Sequence, residues 1–449
     1  MSGHKWWHNQ SLRTAIGVAG GWQLFQELYD ITPQDRPLLD RIRRTRLADS
    51  LTRAASTEHF ASLLSDRDLS PEKAEAVLGE LPVLEKTTLR DAPNSLRTGL
   101  VAERDELRVR TSGTTGEPVA IAHDASLLAE STASNLRMLS AYGMEPGLRI
   151  LRLTADTRHA LTAFETLPHF GAASVLRINV ATIGPSDTAY VDRLCADFRP
   201  HMIWGQPLEV LLAVLRQREE LLHLPTPRLV LTHGDTLDRS TREAISTGFD
   251  CAHRDVYGLQ EFGRVAWECP EQLGTYHLDE ERVDIATDEH SQLLITSLTN
   301  TAMSLLRYRP GDCGEVLREG CPCGRAHARI TGLEGRQRGL VIDADGALVG
   351  VKPLRLALER QPLDRWQVRQ EEPGRLEVLI APRDMSNAKD LEELLVKELS
   401  TAMHLADVRV RTVVLQDLAS RTGKAPHFQL LATQQAIGQR VAAGEAAAW

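Results

Sequence analysis

The chain lacks the marks of several large protein classes. Basic residues do not outnumber acidic ones: 52 Lys and Arg against 61 Asp and Glu leave a formal charge of −9, with a pI near 6.0. Nucleic acid is therefore not an expected partner, because binding a phosphate backbone needs a basic face. No apolar run approaches the ~18 residues of a membrane span, so no membrane partner is expected either. The opening stretch, "MSGHKWWHNQSLRTAIGVAGGW", mixes polar and apolar residues and shows no clean apolar segment before a cleavage site, which argues against a signal peptide. Six cysteines in 449 residues are too few for a disulfide scaffold, and the expectation is a reducing cytoplasm. What is present is ordinary for a globular protein: 42% apolar and 25% charged residues. The length suits two domains or more.

One stretch stands apart. "VRTSGTTGEPVAI", Val109 to Ile121, sets Thr111, Ser112, Gly113, Thr114, Thr115 and Gly116 between a short apolar-alternating run and a helix-like one. Hydroxyls and free backbone N–H groups in a glycine-rich turn suit an anion, above all a phosphate chain. The stretch is not a P-loop, which needs four residues between its glycines and then Lys-Ser/Thr. Only Thr114 and Thr115 separate Gly113 from Gly116, and Glu117 follows. The charge of a bound phosphate must be offset from elsewhere.

Upstream, residues 37–66 carry apolar positions at helical spacing with many arginines between them, as amphipathic surface helices do. Downstream, residues 148–155, 173–180, 201–204, 228–234 and 253–258 read as short strands, and 207–222 as a helix with an apolar stripe. That alternation predicts a parallel, helix-covered sheet. From about 264 the pattern turns to antiparallel strands and polar turns, followed by the glycine-rich run "GLEGRQRGLVIDADGALVG" as a candidate hinge. A small β-rich unit with one or two helices ends in an alanine-rich tail.

Several pieces then coincide in order: "TSGTTGEP", "DVYGLQEFG" (255–263), "SLLRYRPGDCG" (304–314), "GLEGR" (332–336) and "SRTGKAPH" (420–427). The series, covering about 80–449, resembles the adenylate-forming (acyl-activating) superfamily. It is closest to phenylacetate–CoA ligases and their relatives linked to capsular-polysaccharide genes. The resemblance implies an α/β adenylate-forming fold. A large N-terminal domain of helix-covered β-sheets would span 1–336, with 1–80 as a helical lead-in. A small mobile C-terminal α+β domain would span 337–436, and 437–449 would be a frayed tail.

The resemblance also implies a chemistry. A carboxylic acid, aromatic by family default, attacks the α-phosphate of ATP, and a second nucleophile such as CoA then displaces AMP. Thr111, Ser112, Gly113, Thr114, Thr115 and Gly116 would hold phosphates, and Glu261 would hold Mg2+, a hard cation suited to carboxylate and phosphate oxygens. Lys424 would bridge the carboxylate and the α-phosphate, a task for a compact charge on a flexible stem. Tyr257 and Gly258 would line adenine, Asp312 the ribose hydroxyls, Gly234 and Asp235 the adenine pocket, and Arg336 the ribose and hinge. Met138, Tyr142 and Trp204 are candidates to flank a flat ring, although residues at such spacing are more often core.

The cysteines carry a second signal, since four of the six fall within 55 residues. Cys269, His277, Cys321 and Cys323 offer three thiolates and an imidazole, a donor set suited to closed, tetrahedral, structural Zn2+. Members of the phenylacetate ligase branch that carry zinc have similar positions. His327 is an alternative fourth ligand, and four unconnected reduced residues are the plain alternative. Cys195, Cys251 and Cys313 read as small apolar fillers.

The chain departs from its relatives at four places. Gln260 stands for Ser or Thr, and Asp235 stands for glutamate; the missing lysine after the loop's proline, Val119 here, is typical of this branch and is no departure. Arg338 and Gly339 replace an acidic pair near the hinge, and the loop around Asp345 and Gly346 differs from that of true phenylacetate ligases. The acceptor is therefore open between CoA, an amine, a carrier-protein thiol and nitrite. A non-catalytic nucleotide-binding protein on the same fold is a further alternative. The oligomeric state is also open, a homodimer included.

Overall fold

The computed structural model describes residues 35–430 apart from 111–119, 125, 146, 156–159, 168–169, 171–172, 181, 236, 238, 335–339, 343, 345–347, 351, 404 and 419–427. Helix α1 (Arg36–Ala54) opens with Pro37 in its first turn, where a missing N–H costs nothing. Short helices follow: α2 (Ala61–Leu64), α3 (Ala74–Glu80) and α4 (Lys86–Asp91). Strands β1 (Leu107–Arg110) and β2 (Ala120–His123) form an antiparallel hairpin in which Arg110 faces Ala120. The glycine–hydroxyl stretch is thus the connection of a hairpin. The segment after it begins as a strand, not the helix that the sequence suggests, because four residues are too few to display a period. Helix α5 (Ser126–Ala141) comes next.

The main sheet has ten strands. Its parallel part, in spatial order, is β5 (Ala173–Asn179), β3 (Arg149–Thr154), β6 (Met202–Gly205), β7 (Leu229–His233) and β8 (Ala252–Leu259). Strand β4 (Thr162–Leu167) closes one edge antiparallel to β5. On the other side the sheet turns antiparallel through β9 (Gly263–Glu268), β10 (Thr275–Leu278), β14 (Arg329–Glu334) and β13 (Cys313–Leu317). The inner parallel strands are buried along nearly their whole length, as expected where helices cover both faces.

Helices α6 (Thr188–Phe198), α7 (Pro207–Arg218) and α8 (Arg239–Phe249) pack on one face and α5 on the other. At the start of α7 the Gln206 N–H donates to Glu209 Oε2 at 2.7 Å, the carboxylate half of a capping box. Helices α7 and α8 approach so closely that a Cβ on Gly248 would lie 2.5 Å from a Val214 methyl. Helices α1 to α4 share a core with the antiparallel half of the sheet and with the hairpin β11 (Val283–Thr287) and β12 (Leu293–Ser297).

Beyond the small hairpin of β15 (Leu340–Ile342) and β16 (Leu348–Gly350) lies a four-stranded sheet. Its order is β19 (Asp407–Thr412), β18 (Arg375–Pro382), β17 (Leu363–Glu372), β20 (Phe428–Leu430). Helices α9 (Lys352–Glu359) and α10 (Ala388–Met403) share its core. Leu379 and Ala381 from its other face join the core of α7 and α8. Asp364 there lies 3.7 Å from Arg218. No described helix is long and apolar enough to cross a membrane.

Candidate nucleotide site and cysteine–histidine cluster

The candidate site lies where the parallel strands end, the usual place for a ligand on an α/β sheet. Strand β7 runs into Gly234, whose φ of +77° suits glycine, and then into Asp235. The buried Arg365 of β17 points a guanidinium N–H at Asp235 Oδ2 from 3.3 Å. Strand β8 ends with a register shift between Tyr257 and Gly258. At Gly258 a Cβ would stand 3.0 Å from the Gly263 carbonyl, so the turn into β9 closes only around glycine. The Tyr257 hydroxyl donates to Asp312 Oδ2 at 2.7 Å. Two residues predicted to line one nucleotide are thus direct neighbours.

Glu261 sits in the turn between β8 and β9 and is only 2% exposed. Tyr308 Oη donates to its Oε1 at 3.1 Å, and among the described residues no arginine or lysine forms an ion pair with it. A buried carboxylate served by one neutral hydroxyl is a fitting ligand for a hard cation. It lines a small cavity together with His123, Asp124, Arg282 and Asn300.

Beneath this turn a buried polar network ties the strands together. Asp255 accepts from Thr232 Oγ1 at 2.6 Å and from Tyr276 Oη at 2.9 Å. Its own N–H donates to Glu268 Oε2 at 3.0 Å. Arg242 of α8 holds both oxygens of Glu268, at 3.0 and 2.7 Å. Burial pushes the Asp255 carboxyl up to about 7, and burial with the Arg242 and Arg254 charges pulls His253 down to about 3.

The second cluster lies in the antiparallel half. Cys269 follows β9, His277 lies on β10, and Cys321 and Cys323 lie between β13 and β14. The four donor atoms all fall within 4.8 Å of one another. The two sulfurs of Cys269 and Cys321 are 3.8 Å apart, and Cys323 Sγ is 3.4 Å from His277 Nε2. A tetrahedral ion about 2.3 Å from each sulfur sets such sulfurs about 3.8 Å apart, so the residues fit zinc. The sharp turn that a Cys-x-Cys pair needs is present: Gly324 has φ +87° and its N–H donates to the Cys321 carbonyl at 2.9 Å. The Arg325 guanidinium, 3.5 Å from Cys323 Sγ, offers positive charge beside the thiols. Burial holds His277 down to about 3, in the neutral form that ligates metal. His327 is outside this set, its ring centroid 6.2 Å from that of His277.

Other expected residues fall differently. Thr111, Ser112, Gly113, Thr114, Thr115, Gly116, Arg336 and Lys424 lie outside the described residues. Met138 is core, and Tyr142 packs edge-on against Trp267 with its hydroxyl donating to the Glu268 carbonyl at 2.6 Å. Trp204, half-buried, stacks obliquely on Phe170 and on His233 at a strand end. Tyr308, His123, Asn300 and Arg365 went unread in the sequence. Only Tyr308 had a signal, since it stands inside "LLRYRPGD".

No family model matches the chain. Three curated proteins named phenylacetate-coenzyme A ligase do match. The one from Thermus thermophilus is 29% identical over 307 residues, which is 63% of this chain and 66% of that protein. The one from Aromatoleum evansii is 25% identical over 343 residues, 70% of this chain and 74% of that protein. The chain therefore spans just under two thirds of the Thermus protein's length. Among solved structures, a 2-hydroxyisobutyryl-CoA ligase, in its postadenylation state with 2-HIB-AMP, superposes with a TM-score of 0.64. The superposition covers 89% of this chain and 91% of the other at 14% identity.

The fold is that of the adenylate-forming CoA ligases. In sequence the chain is similar to the two phenylacetate-coenzyme A ligases above.

Proposed function

We propose that the chain joins a carboxylic acid, of aromatic type, to the AMP moiety of ATP and then passes the acyl group to CoA. In the first step a carboxylate oxygen attacks the α-phosphorus and pyrophosphate leaves. In the second the CoA sulfur attacks the acyl carbon, and the bond to AMP breaks. The observation that carries this reading is the bond between Tyr257 and Asp312 at the strand ends, with the buried Glu261 in the adjoining turn.

In this reading the Tyr257 ring stacks on adenine. Asp312 accepts from the ribose hydroxyls, as a carboxylate does well. The hydroxyls and N–H groups of 111–116 hold the outer phosphates, and Glu261 holds Mg2+. Bound there, Mg2+ neutralises phosphate charge. The last cation is Lys424. The sequence has no lysine anywhere from 87 to 351, so a lysine for the α-phosphate has to come from elsewhere in the chain. The division at 336 and 337 lets the C-terminal part carry Lys424 in and out of the site between the two steps. A structural Zn2+ on Cys269, His277, Cys321 and Cys323 completes the proposal. Its four protein ligands leave no open position for hydrolytic chemistry.

The test is pyrophosphate release from ATP with a panel of carboxylic acids, mostly aromatic, each with and without CoA, amines and nitrite. Release with an aryl acid, and thioester only when CoA is present, is expected. A chain that binds AMP yet releases no pyrophosphate with any acid is a non-catalytic nucleotide binder, and the proposal fails.

A further inference from the structure

We propose that His123 is a positioning residue for Glu261, acting as the neutral tautomer that carries its proton on Nε2. The inference rests on the reading of Glu261 as the Mg2+ carboxylate and extends it to a residue outside the family motifs quoted above.

Glu261 stands in a turn with no strand partner of its own, just past the register shift that ends β8. A metal ligand on such a turn is only as well placed as the backbone on either side of it. On one side, the Gln260 carbonyl lies 3.2 Å from His123 Nε2. On the other, Arg282 donates to the Phe262 carbonyl at 3.1 Å and to the Arg264 carbonyl at 2.9 Å. Gly263 holds the turn at φ +69°, a backbone conformation that suits glycine. The carboxylate is thus held between two clamps, and His123 is the one from the hairpin that bears the glycine–hydroxyl connection.

The tautomer follows from counting donors. Asn300 Oδ1 accepts from the Ala302 and Met303 N–H groups, at 2.9 and 3.3 Å. That fixes which end of the amide is which. Its Nδ2 donates to the Ala122 carbonyl at 2.9 Å and points a second hydrogen at His123 Nδ1, 3.4 Å away. Nδ1 is therefore an acceptor, so the proton sits on Nε2, where it donates to Gln260. Asp124, the next residue, locks the same loop by accepting from the Thr301 hydroxyl at 2.7 Å. A core histidine filling space would need none of this.

The experiment compares His123→Leu, which has no donor, with His123→Gln, whose amide nitrogen reaches the place of Nε2. The readouts are Mn2+ binding to the ATP complex by electron paramagnetic resonance and the Mg2+ dependence of acid-dependent ATP–pyrophosphate exchange. Affinity for AMP alone serves as the control. His123→Leu should need about tenfold to a hundredfold more metal, with AMP affinity unchanged, and His123→Gln should recover most of the loss. Wild-type metal dependence in His123→Leu, or a Gln variant no better than Leu, overturns the inference while leaving Glu261 as the metal carboxylate. Wild-type Mn2+ binding in Glu261→Ala overturns that assignment and this inference together. Should the Leu variant not fold, the 15N spectrum of the histidine-labelled native protein decides: a His123 ring protonated on Nδ1 overturns the proposal.

Discussion

The Tyr257 hydroxyl donates to Asp312 across 55 positions of sequence, so the end of β8 and the turn that opens β13 are set by one bond. The ring and the carboxylate take their orientations from each other. Removing the ring should cost what a base–aromatic stack is worth, roughly 1–3 kcal/mol. Tyr257→Ala is expected to raise the KM for ATP by about 5- to 150-fold. Tyr257→Phe, which loses one hydrogen bond worth about 1 kcal/mol, should raise it by only about fivefold. Equal effects in the two variants would show that the ring does not stack. Steady-state ATP–pyrophosphate exchange gives both numbers.

Lys424 is the proposed carrier of charge to the α-phosphate. Lys424→Ala should slow adenylation by roughly 10²–10³-fold, as loss of a single oxyanion donor does, with little change in AMP affinity. Undiminished acid-dependent exchange in this variant would remove Lys424 from the mechanism. Stopped-flow measurement of the first step, without CoA, isolates the effect.

The cysteine–histidine cluster should retain on the order of one zinc per chain through purification without added metal. Chelation should lower the melting temperature, and Cys321→Ser should lose the ion. Less than about 0.2 equivalents by elemental analysis, with stability indifferent to EDTA, would leave four plain side chains.

Asp255 and His253 pull stability in opposite directions with pH. The native Asp255 carboxyl is raised from 3.8 to about 7 by burial. Between those values the folded chain keeps a proton that the unfolded chain has released, so this contribution falls as the pH rises through the window. His253, lowered from 6.5 to about 3, refuses a proton that the unfolded chain takes up. Its contribution therefore falls as the pH drops from 6.5 to 3. Asp255→Asn removes the first slope and leaves the second. Its stability relative to the native chain should improve between about pH 4 and 7, by up to about 1.4 kcal/mol per unit. Urea melts across that range check the sign, and a flat difference would contradict it.

The sequence disclosed the parallel strands well because burial on both faces makes them near-continuous apolar runs. Strand β4 was silent for the opposite reason. It is an edge strand, half in solvent, and its Phe164 is 68% exposed, so its pattern points the wrong way. Among the candidate site residues, those inside contiguous motifs could be singled out from the sequence: Glu261, Asp312, Tyr257 and the four residues of the cysteine–histidine cluster. His123 and Asn300 could not. They meet the Glu261 turn and each other across 137 and 177 positions, and nothing local announces such a contact. Met138 and Tyr142 lie at core spacing, and the core is where they sit.

The cluster between β9, β10 and the β13–β14 connection bears on more than local stability. Asp312 immediately precedes Cys313, the first residue of β13; among the described residues β13 joins the main sheet through β14, and its start is also tied to the β11–β12 hairpin, where Leu293 N–H donates to the Asp312 carbonyl at 2.9 Å. An ion held by Cys321 and Cys323 on one side and by Cys269 and His277 on the other would rivet that outer hairpin in place. With the rivet drawn, the carboxylate proposed for ribose would ride on a loosened edge. Nucleotide affinity would then follow the supply of zinc, and would fall before the fold itself gave way.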